Sequence, residues 1–210
     1  MNSQIISKAV EYAKDCFKND SSGHDFYHTL RVYRTAVRLA EAERADTYTV
    51  ALASLLHDVD DRKLSPQTAE GLDNARRFLA ENGVDGDTAQ KVLGIISEVS
   101  YKGKASTVPE SIEGKCVQDA DRLDAIGAIG IARAFAFGGS RGRKMYDPEI
   151  KPQEFEKSEN STSLNHFYEK LFLLKDLLNT DSARKTAEER DRFMHGFVDE
   201  FLREWESEDI

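Results

Sequence analysis

The sequence has few of the residues on which several common protein classes depend. Its 210 residues include two cysteines, Cys16 and Cys116, which form no recognisable disulfide or zinc framework. Both lie among apolar neighbours in segments with a helical pattern, so we expect free, buried thiols in a reducing cytosol. No apolar run approaches the roughly 20 residues that a membrane span needs. The first 15 residues resemble an amphipathic helix and lack the continuous apolar core of a signal peptide. We therefore predict a cytoplasmic protein without a membrane partner.

Positive charge is also scarce, with 29 Lys and Arg residues against 38 Asp and Glu residues and a net charge of -9. Binding along a nucleic-acid backbone requires a basic surface, so this balance argues against nucleic acid as a partner. It does not exclude a small anionic ligand that is held by a metal ion and a few local cations. The chain is long enough for one well-packed core, and we predict a single domain over residues 1–210.

Alternating strand patterns of useful length and internal repeats are missing, whereas apolar residues recur with a helical period. In the first predicted helix the apolar positions are Ile6, Val10, Ala13 and Phe17. The predicted helices cover residues 3–18, 25–43, 46–58, 65–82 (from Ser65-Pro66), 87–99, a segment capped near Ser111, 161–179 and 182–206. We therefore predict an all-α helical bundle. Residues 138–160 form the longest irregular segment, which we interpret as a functional loop within the domain and not as a linker.

Four residues in these helical segments are candidate metal ligands: His28, the adjacent pair His57-Asp58, and Asp121. Two imidazoles and two carboxylates suit a borderline divalent ion, and suit neither calcium nor a structural zinc ion. Each residue also has an ordinary structural alternative. His28 could be a core histidine that is hydrogen-bonded to a backbone carbonyl. Asp58 could belong to a buried ion pair, because an ionised carboxylate at the end of so apolar a helix is costly unless it is paired or bound to metal. Helical periodicity leaves Asp119 and Asp121 equally open.

Three stretches together resemble the HD-domain phosphohydrolase superfamily: YHTLRV at 27–32, ALASLLHDVDD at 51–61 and QDADRLDAIG at 118–127. The resemblance implies an all-α bundle with its metal-site core at about 20–135. It also implies that His28, His57, Asp58 and Asp121 bind the metal, which selects Asp121 over Asp119. GHD-x-x-H at 23–28, the run at 119–135 and YDP at 146–148 resemble a small bacterial branch of this superfamily. That branch implies a pyrophosphohydrolase that acts on nucleoside triphosphates and favours manganese.

The resemblance further implies a cofactor of one divalent metal ion, with Mn²⁺ favoured. The alternatives are Zn²⁺, Ni²⁺, Co²⁺, Fe²⁺ and Mg²⁺, since cellular availability decides among ions that such a ligand set can bind. No histidine occurs between Asp58 and Asp121. The two-metal phosphodiesterase and di-iron oxygenase sites of HD relatives need histidines in that interval, so a single tight metal site is favoured. A second, weakly held ion that arrives with substrate phosphates stays open.

Asp61 lies three positions after Asp58, about one helical turn further on. In related HD enzymes an acidic residue at this offset orients or deprotonates the attacking water, and we predict the same catalytic role for Asp61. Asp60 could take this role instead, or Asp61 could be a solvated acid in a charged run.

The sequence indicates the substrate-binding residues less specifically than the metal ligands, because lysine, arginine and aromatic residues are common in loops without such a function. His24 could instead be an ordinary residue at a helix start, and Asp124 could instead form a salt bridge with a neighbour. His166 and His195 are interpreted as structural. The predicted substrate-binding residues are His24, Tyr27, Lys102, Lys104, Asp124, Arg141 and Lys144, with Arg62, Lys63 and Arg143 as further candidate cations.

The leading functional hypothesis is a metal-dependent phosphohydrolase that converts a (deoxy)nucleoside triphosphate to its monophosphate and pyrophosphate. A nucleoside monophosphate phosphatase and a guanosine alarmone hydrolase are alternatives. Alarmone hydrolases carry Glu-Asp after the HD pair, so Asp61-Arg62 at that offset weakens the second alternative. A nucleotide-sensing HD module with little turnover is a different class, against which the intact set of four ligands argues. The expected partner is a small-molecule nucleotide or another phosphate ester, and a homodimer stays open.

Overall fold

A computed structural model of the chain describes residues 2–18, 25–61, 65–99, 107–153 and 161–208. All regular secondary structure in these ranges is helical, which confirms the predicted all-α class. The chain divides into two compact units, Met1–Asp121 and Arg122–Ile210. A single domain over residues 1–210 stays a prediction. None of the helices in the described ranges is long and apolar enough to cross a membrane.

The first unit is arranged around one central helix. Its helices are α1 (Asn2–Phe17), α2 (Phe26–Glu43), α3 (Thr47–Leu56), α4 (Asp73–Glu81), α5 (Gly86–Val99) and most of α6 (Ile112–Asp124). Every residue of α3 from Thr49 to Leu56 is buried. Neighbouring helices α1, α2 and α5 pack against it. A helix that is apolar on all sides needs neighbours on all sides, so α3 forms the core of this unit.

The contact face of α1 differs from the predicted one. Its buried residues are Ile5, Ala9, Ala13 and Phe17, whereas Ile6 and Val10 are only partly buried. Adjacent apolar residues at 5–6 and 9–10 fit two neighbouring helical stripes, so the period alone could not select one. The prediction that both cysteines are buried is wrong for Cys16, which is exposed, and agrees with the structure for Cys116.

The predicted helix start at Ser65-Pro66 is wrong, because residues 66–72 form turns and α4 begins at Asp73. Leu72 adopts a left-handed backbone conformation with φ of 52° and offers no side-chain cap. The cap comes instead from Asp60, whose carboxylate accepts hydrogen bonds from the backbone N–H groups of Asn74 (3.1 Å) and Ala75 (2.9 Å). A carboxylate at this position satisfies two amide groups of the first turn and complements the helix dipole.

The side chain of Asn74 also links the start of α4 to the residues that precede it. Its Nδ2 atom donates to the carbonyl oxygen of Val59 at 3.2 Å and to the hydroxyl of Thr68 at 3.0 Å. Asp60 and Asn74 together therefore fix the turn after α3, the segment 65–72 and the start of α4 relative to one another.

The second unit contains α7 (Gly127–Ser140), α8 (Phe172–Leu174) and α9 (Asp181–Trp205). A π-helical turn at Phe167–Leu171 precedes α8 and a 3₁₀ turn at Lys175–Leu177 follows it, so the predicted helix at 161–179 is irregular and shorter. The helix predicted at 182–206 is present as α9. Because α7 continues to Ser140, the irregular segment predicted at 138–160 begins at residue 141, and its residues 154–160 lie outside the described ranges.

Two glycines allow close packing at the start of α7. Gly127 has φ of 78°, and a β-carbon there would lie 2.9 Å from Cγ of Arg190. A β-carbon on Gly130 would overlap the carbonyl oxygen of Ala125. Any larger side chain at either position would require the backbone or its neighbours to move.

We expect Asp60→Ala to destabilise the metal-free protein by about 1–3 kcal/mol, because two helix amides lose a largely buried acceptor. Urea denaturation followed by circular dichroism would measure the free energy of unfolding. Asp87→Ala is the matched control, since Asp87 is an exposed acid in the first turn of α5 and should contribute less than about 1 kcal/mol. Equal losses in the two variants would contradict the proposed capping role of Asp60.

Candidate functional site

The structure brings the four predicted metal ligands together within the first unit. His28 lies in the first turn of α2, His57-Asp58 follows the end of α3, and Asp121 lies on α6. Nε2 of His28 is 3.5 Å from Oδ2 of Asp58 and 3.4 Å from Oδ1 of Asp121, and Nε2 of His57 is 3.2 Å from Oδ2 of Asp58. One ligand atom from each of His28, His57 and Asp58 lies within 4.8 Å of the others.

Local structure explains how each histidine is placed. The Asp25 side chain caps α2 by accepting a hydrogen bond from the backbone N–H of His28 at 2.7 Å. His57 is the C-terminal cap residue of α3, and its Nδ1 atom lies 2.8 Å from the carbonyl oxygen of Ser54. A carbonyl can only accept, so Nδ1 of His57 carries the proton in this contact and Nε2 is the nitrogen that faces the cluster.

These residues fit a divalent metal ion. The buried Nε2 atom of His57 faces Oδ2 of Asp58 at 3.2 Å, so a nitrogen and an oxygen ligand atom are directed at the same place. The His28 and His57 side chains are almost fully buried, while the side chains of Asp58 and Asp121 are 13% and 30% exposed. Buried imidazoles beside partly accessible carboxylates provide nitrogen and oxygen ligands with water access on one side, as an open metal site requires.

The charges in the cluster alter the acidity of His57. Burial by itself lowers the pKa of His57, but the negative charges of Asp58 and Asp121 and the carbonyl of Ser54 raise it from 6.5 to about 9. In the metal-free protein near neutral pH, a proton on His57 therefore partly neutralises the two carboxylates. A metal ion must displace that proton to bind Nε2.

A cavity of about 910 Å³ adjoins the cluster. Its walls come from the turn after α3, the segment 65–72, α4 and α5. The lining residues are His57, Asp58, Asp60, Asp61, Ala69, Glu70, Gly71, Leu72, Arg76, Gln90, Leu93, Gly94, Ile96 and Ser97. This volume lies within the range of roughly 300–1,000 Å³ that is typical of small-molecule sites.

The sequence left the roles of Asp60 and Asp61 open, and the structure gives them different surroundings. Both carboxylate oxygens of Asp60 accept hydrogen bonds from the start of α4. Asp61 is half-buried at the cavity wall, and its backbone N–H donates to the carbonyl oxygen of Asp58 at 3.0 Å. Asp60 is therefore committed to the cap of α4, and the catalytic role predicted for Asp61 stays a prediction.

Comparison with known proteins identifies the family. A sequence model of the HD domain matches residues 25–126. The crystal structure of an HD-superfamily hydrolase from Bacillus thuringiensis is 44% identical, covers 98% of this chain and 99% of its own, and superimposes with a TM-score of 0.81. This chain belongs to the HD domain family. HD domains bind divalent metals, in agreement with the cluster of His28, His57 and Asp58.

Two further comparisons extend over nearly the whole HD protein. Bacillus subtilis YpgQ is 42% identical over 189 residues, which are 89% of this chain and 87% of YpgQ. The crystal structure of YpgQ in complex with ADP superimposes with a TM-score of 0.76 at 37% identity and covers 97% of each chain. The similarity therefore extends beyond the HD-domain match at residues 25–126 into the second unit.

The other predicted site residues of the HD protein have varied surroundings. Tyr27 is 66% exposed on α2. Asp124, Arg141 and Lys144 belong to the second unit, where each has a neighbour of its own. Asp124 pairs with Arg133 at 2.7 Å, Lys144 pairs with Asp147 at 2.8 Å, and the Arg141 guanidinium lies 5.4 Å from the centre of the Phe137 ring. His24, Arg62, Lys63, Lys102 and Lys104 lie outside the described residues. Substrate binding by any of these residues stays a prediction.

Glu70, in the turns before α4, lines the cavity and was not predicted from the sequence. Three polar helix residues on the cavity wall were not predicted either: Arg76 on α4, and Gln90 and Ser97 on α5. In the sequence they are indistinguishable from solvated helix positions. Gln90 and Ser97 are seven residues apart and share one face of α5, but only the folded chain shows that this face lines the same cavity as His57 and Asp58.

We expect Asp58→Ala to abolish retention of Mn²⁺ by this HD protein while the fold stays helical, because Asp58 is the carboxylate close to both histidines. Metal content after dialysis, measured by mass spectrometry, provides the readout. Asp61→Ala removes an acid from the same cavity wall and should keep its metal. An unchanged metal content in Asp58→Ala would rule out the assigned site.

Metal affinity should rise with pH, since binding displaces one proton from His57, whose pKa is about 9 without metal. The expected increase is about tenfold per pH unit between pH 7 and 8, and the dependence should level off above pH 9. The same proton contributes stability to the metal-free protein at low pH, and this contribution disappears as the pH rises through 9. Calorimetric titration with Mn²⁺ in two buffers of different ionisation enthalpy would measure the affinity and the proton release. An affinity that does not change from pH 7 to 8 would contradict this prediction.

Proposed function

We propose that this HD protein is a metal-dependent phosphohydrolase that converts (deoxy)nucleoside triphosphates to monophosphates and pyrophosphate. One observation carries the proposal: His57 and Asp58 of the metal-ligand cluster line a cavity that is large enough for a nucleotide, and Asp61 lines the same cavity. Candidate metal ligands and a candidate general base therefore face one space.

In this proposal, His28, His57, Asp58 and Asp121 hold one divalent ion, with Mn²⁺ favoured. Such an ion, when bound, lowers the pKa of a coordinated water and polarises a phosphoryl oxygen. Asp61 orients the attacking water and accepts its proton. The turn that places Asp61 beside Asp58 is fixed by Asp60 and Asn74, so the base keeps its position relative to the ligands.

Two relatives support the proposal. The Bacillus thuringiensis protein is described as an HD-superfamily hydrolase, and YpgQ was crystallised in complex with ADP. A nucleoside diphosphate on a relative of 37% identity supports a nucleotide ligand for this protein. We further propose that the bond cleaved lies between the α- and β-phosphates, that triphosphates are preferred and that the bound ion is Mn²⁺.

Product identification tests this function. Metal-stripped protein would be incubated with Mn²⁺ and a panel of NTPs, dNTPs, NMPs and a guanosine alarmone, with phosphate and pyrophosphate release scored separately. We expect pyrophosphate from triphosphates. Asp61→Asn should lower kcat by about 10²-fold or more while metal content stays unchanged, because it removes a proton acceptor and no metal ligand.

Other outcomes would contradict the proposal. Orthophosphate from monophosphates alone would identify a phosphatase, and pyrophosphate from the alarmone alone would identify an alarmone hydrolase. Metal binding without any turnover would favour a nucleotide-sensing module. Equal losses of metal and of turnover in Asp61→Asn would place Asp61 among the metal ligands.

A further inference from the structure

We infer that α4 and α5 divide the cavity into a phosphate side at Arg76 and a nucleoside side around Gly94. This inference rests on the proposed function, because it names the residues that would select a nucleotide in the same cavity. The ligand class is a nucleotide, bound with its phosphates toward the metal cluster and its sugar and base along α5.

The charge of the cavity wall identifies the phosphate side. Four acids line the cavity: Asp58, Asp60, Asp61 and Glu70. Among the described lining residues, Arg76 is the one lysine or arginine. A polyphosphate that enters an acidic cavity needs cations to offset the repulsion, and a guanidinium offers several N–H donors to phosphate oxygens.

Arg76 is also held in place on the wall. Its Nε atom donates to the carbonyl oxygen of Gly71 at 2.7 Å, which directs the other end of the guanidinium away from this bond. Arg76 lies one position after Ala75, whose backbone N–H is bound by Asp60. The hydrogen bonds that fix the metal-ligand turn to α4 therefore also set the position of Arg76 relative to His57 and Asp58.

The face of α5 toward the cavity has the dimensions and chemistry of a nucleoside site. Gln90, Gly94 and Ser97 lie on one face of the helix, and the seven-residue interval spans about 10 Å at the helical rise of 1.5 Å per residue. Leu93 adds apolar surface, while the Gln90 amide and the Ser97 hydroxyl can form hydrogen bonds.

Gly94 provides the space on this wall. A β-carbon built on Gly94 meets no heavy atom within 4 Å, and the residue is helical with no positive φ. A larger side chain at 94 would therefore project into the cavity without backbone strain, and glycine is also the weaker helix former. Gly94 keeps free the volume that we assign to the sugar and base.

Two variants and two probes separate the two sides. Gly94→Phe fills the space beside α5, and Gly196→Phe is its control, because Gly196 lies within α9, has the same open surroundings and does not line the cavity. Arg76→Gln removes the cation, and Arg38→Gln on an exposed position of α2 is its control. The probes are ADP and inorganic pyrophosphate, with binding measured by equilibrium dialysis in Mn²⁺ and separately in EDTA.

We expect Gly94→Phe to weaken ADP binding by at least about tenfold and to leave pyrophosphate binding within about twofold, since it obstructs only the nucleoside side. Arg76→Gln should weaken both probes by roughly ten- to a hundredfold, as expected for lost charge-assisted hydrogen bonds. Both controls should match the wild type. Circular dichroism verifies the folding of each variant, and Gly94→Leu replaces Gly94→Phe if the latter does not fold.

The inference is overturned if wild-type protein binds neither probe, if Gly94→Phe and Gly94→Leu bind ADP as wild type does, or if Gly94→Phe weakens both probes equally. If Arg76→Gln binds ADP and pyrophosphate as the wild type does, the assignment of the phosphate side to Arg76 is overturned. These outcomes differ from failure of the proposed function. If ADP binding changes as expected but no nucleotide is hydrolysed, the binding site stands and the hydrolase proposal fails. If triphosphates are hydrolysed equally by wild type and Gly94→Phe, the hydrolase proposal stands and this inference fails.

Discussion

The end of α3 is the constraint on which the rest of the site depends. This helix is buried on every side, yet the chain must leave it through His57 and Asp58, two groups that are costly to bury unless they are paired. Neighbouring groups offset the unfavourable free energy of burying each of these two side chains. Nδ1 of His57 is satisfied by the Ser54 carbonyl, and Asp58 lies against both imidazoles. The same features that make this polar turn tolerable in an apolar core also leave nitrogen and oxygen atoms facing one point.

Either a proton or a metal ion can compensate the negative charge of this cluster. Two carboxylates near two imidazoles attract positive charge, and without metal this attraction outweighs the effect of burial and raises the pKa of His57 to about 9. The metal-free cluster is therefore not a set of mutually repelling acids but a partly neutralised one.

The turn that follows connects this chemistry to the cavity. Asp60 and Asn74 link the residues after α3 to the start of α4, and α4 and α5 form the cavity walls. A displacement of α4 would move Arg76 and the metal-ligand turn together. Similar HD proteins superimpose over nearly their whole length with TM-scores of 0.76 to 0.83. The fold that carries these elements is therefore shared with solved HD proteins at 37–44% identity.

The sequence by itself determined the helical class and the buried character of α3, because these follow from local periodicity. Its HD-like motifs also singled out His28, His57 and Asp58, whose ligand atoms lie within 4.8 Å of one another, whereas periodicity left Asp119 and Asp121 open. Contacts between residues that are distant along the chain decided the rest. Asp60 caps a helix that begins thirteen positions later, so the sequence could neither separate its role from that of Asp61 nor place the start of α4. The contact face of α1, and with it the exposure of Cys16, depended on which of two adjacent apolar stripes meets α3. Arg76 and Gly94 became candidate site residues only when folding placed them on the wall of the cavity that His57 and Asp58 also line, since exposed positions on a helix carry no periodic signal of what they face.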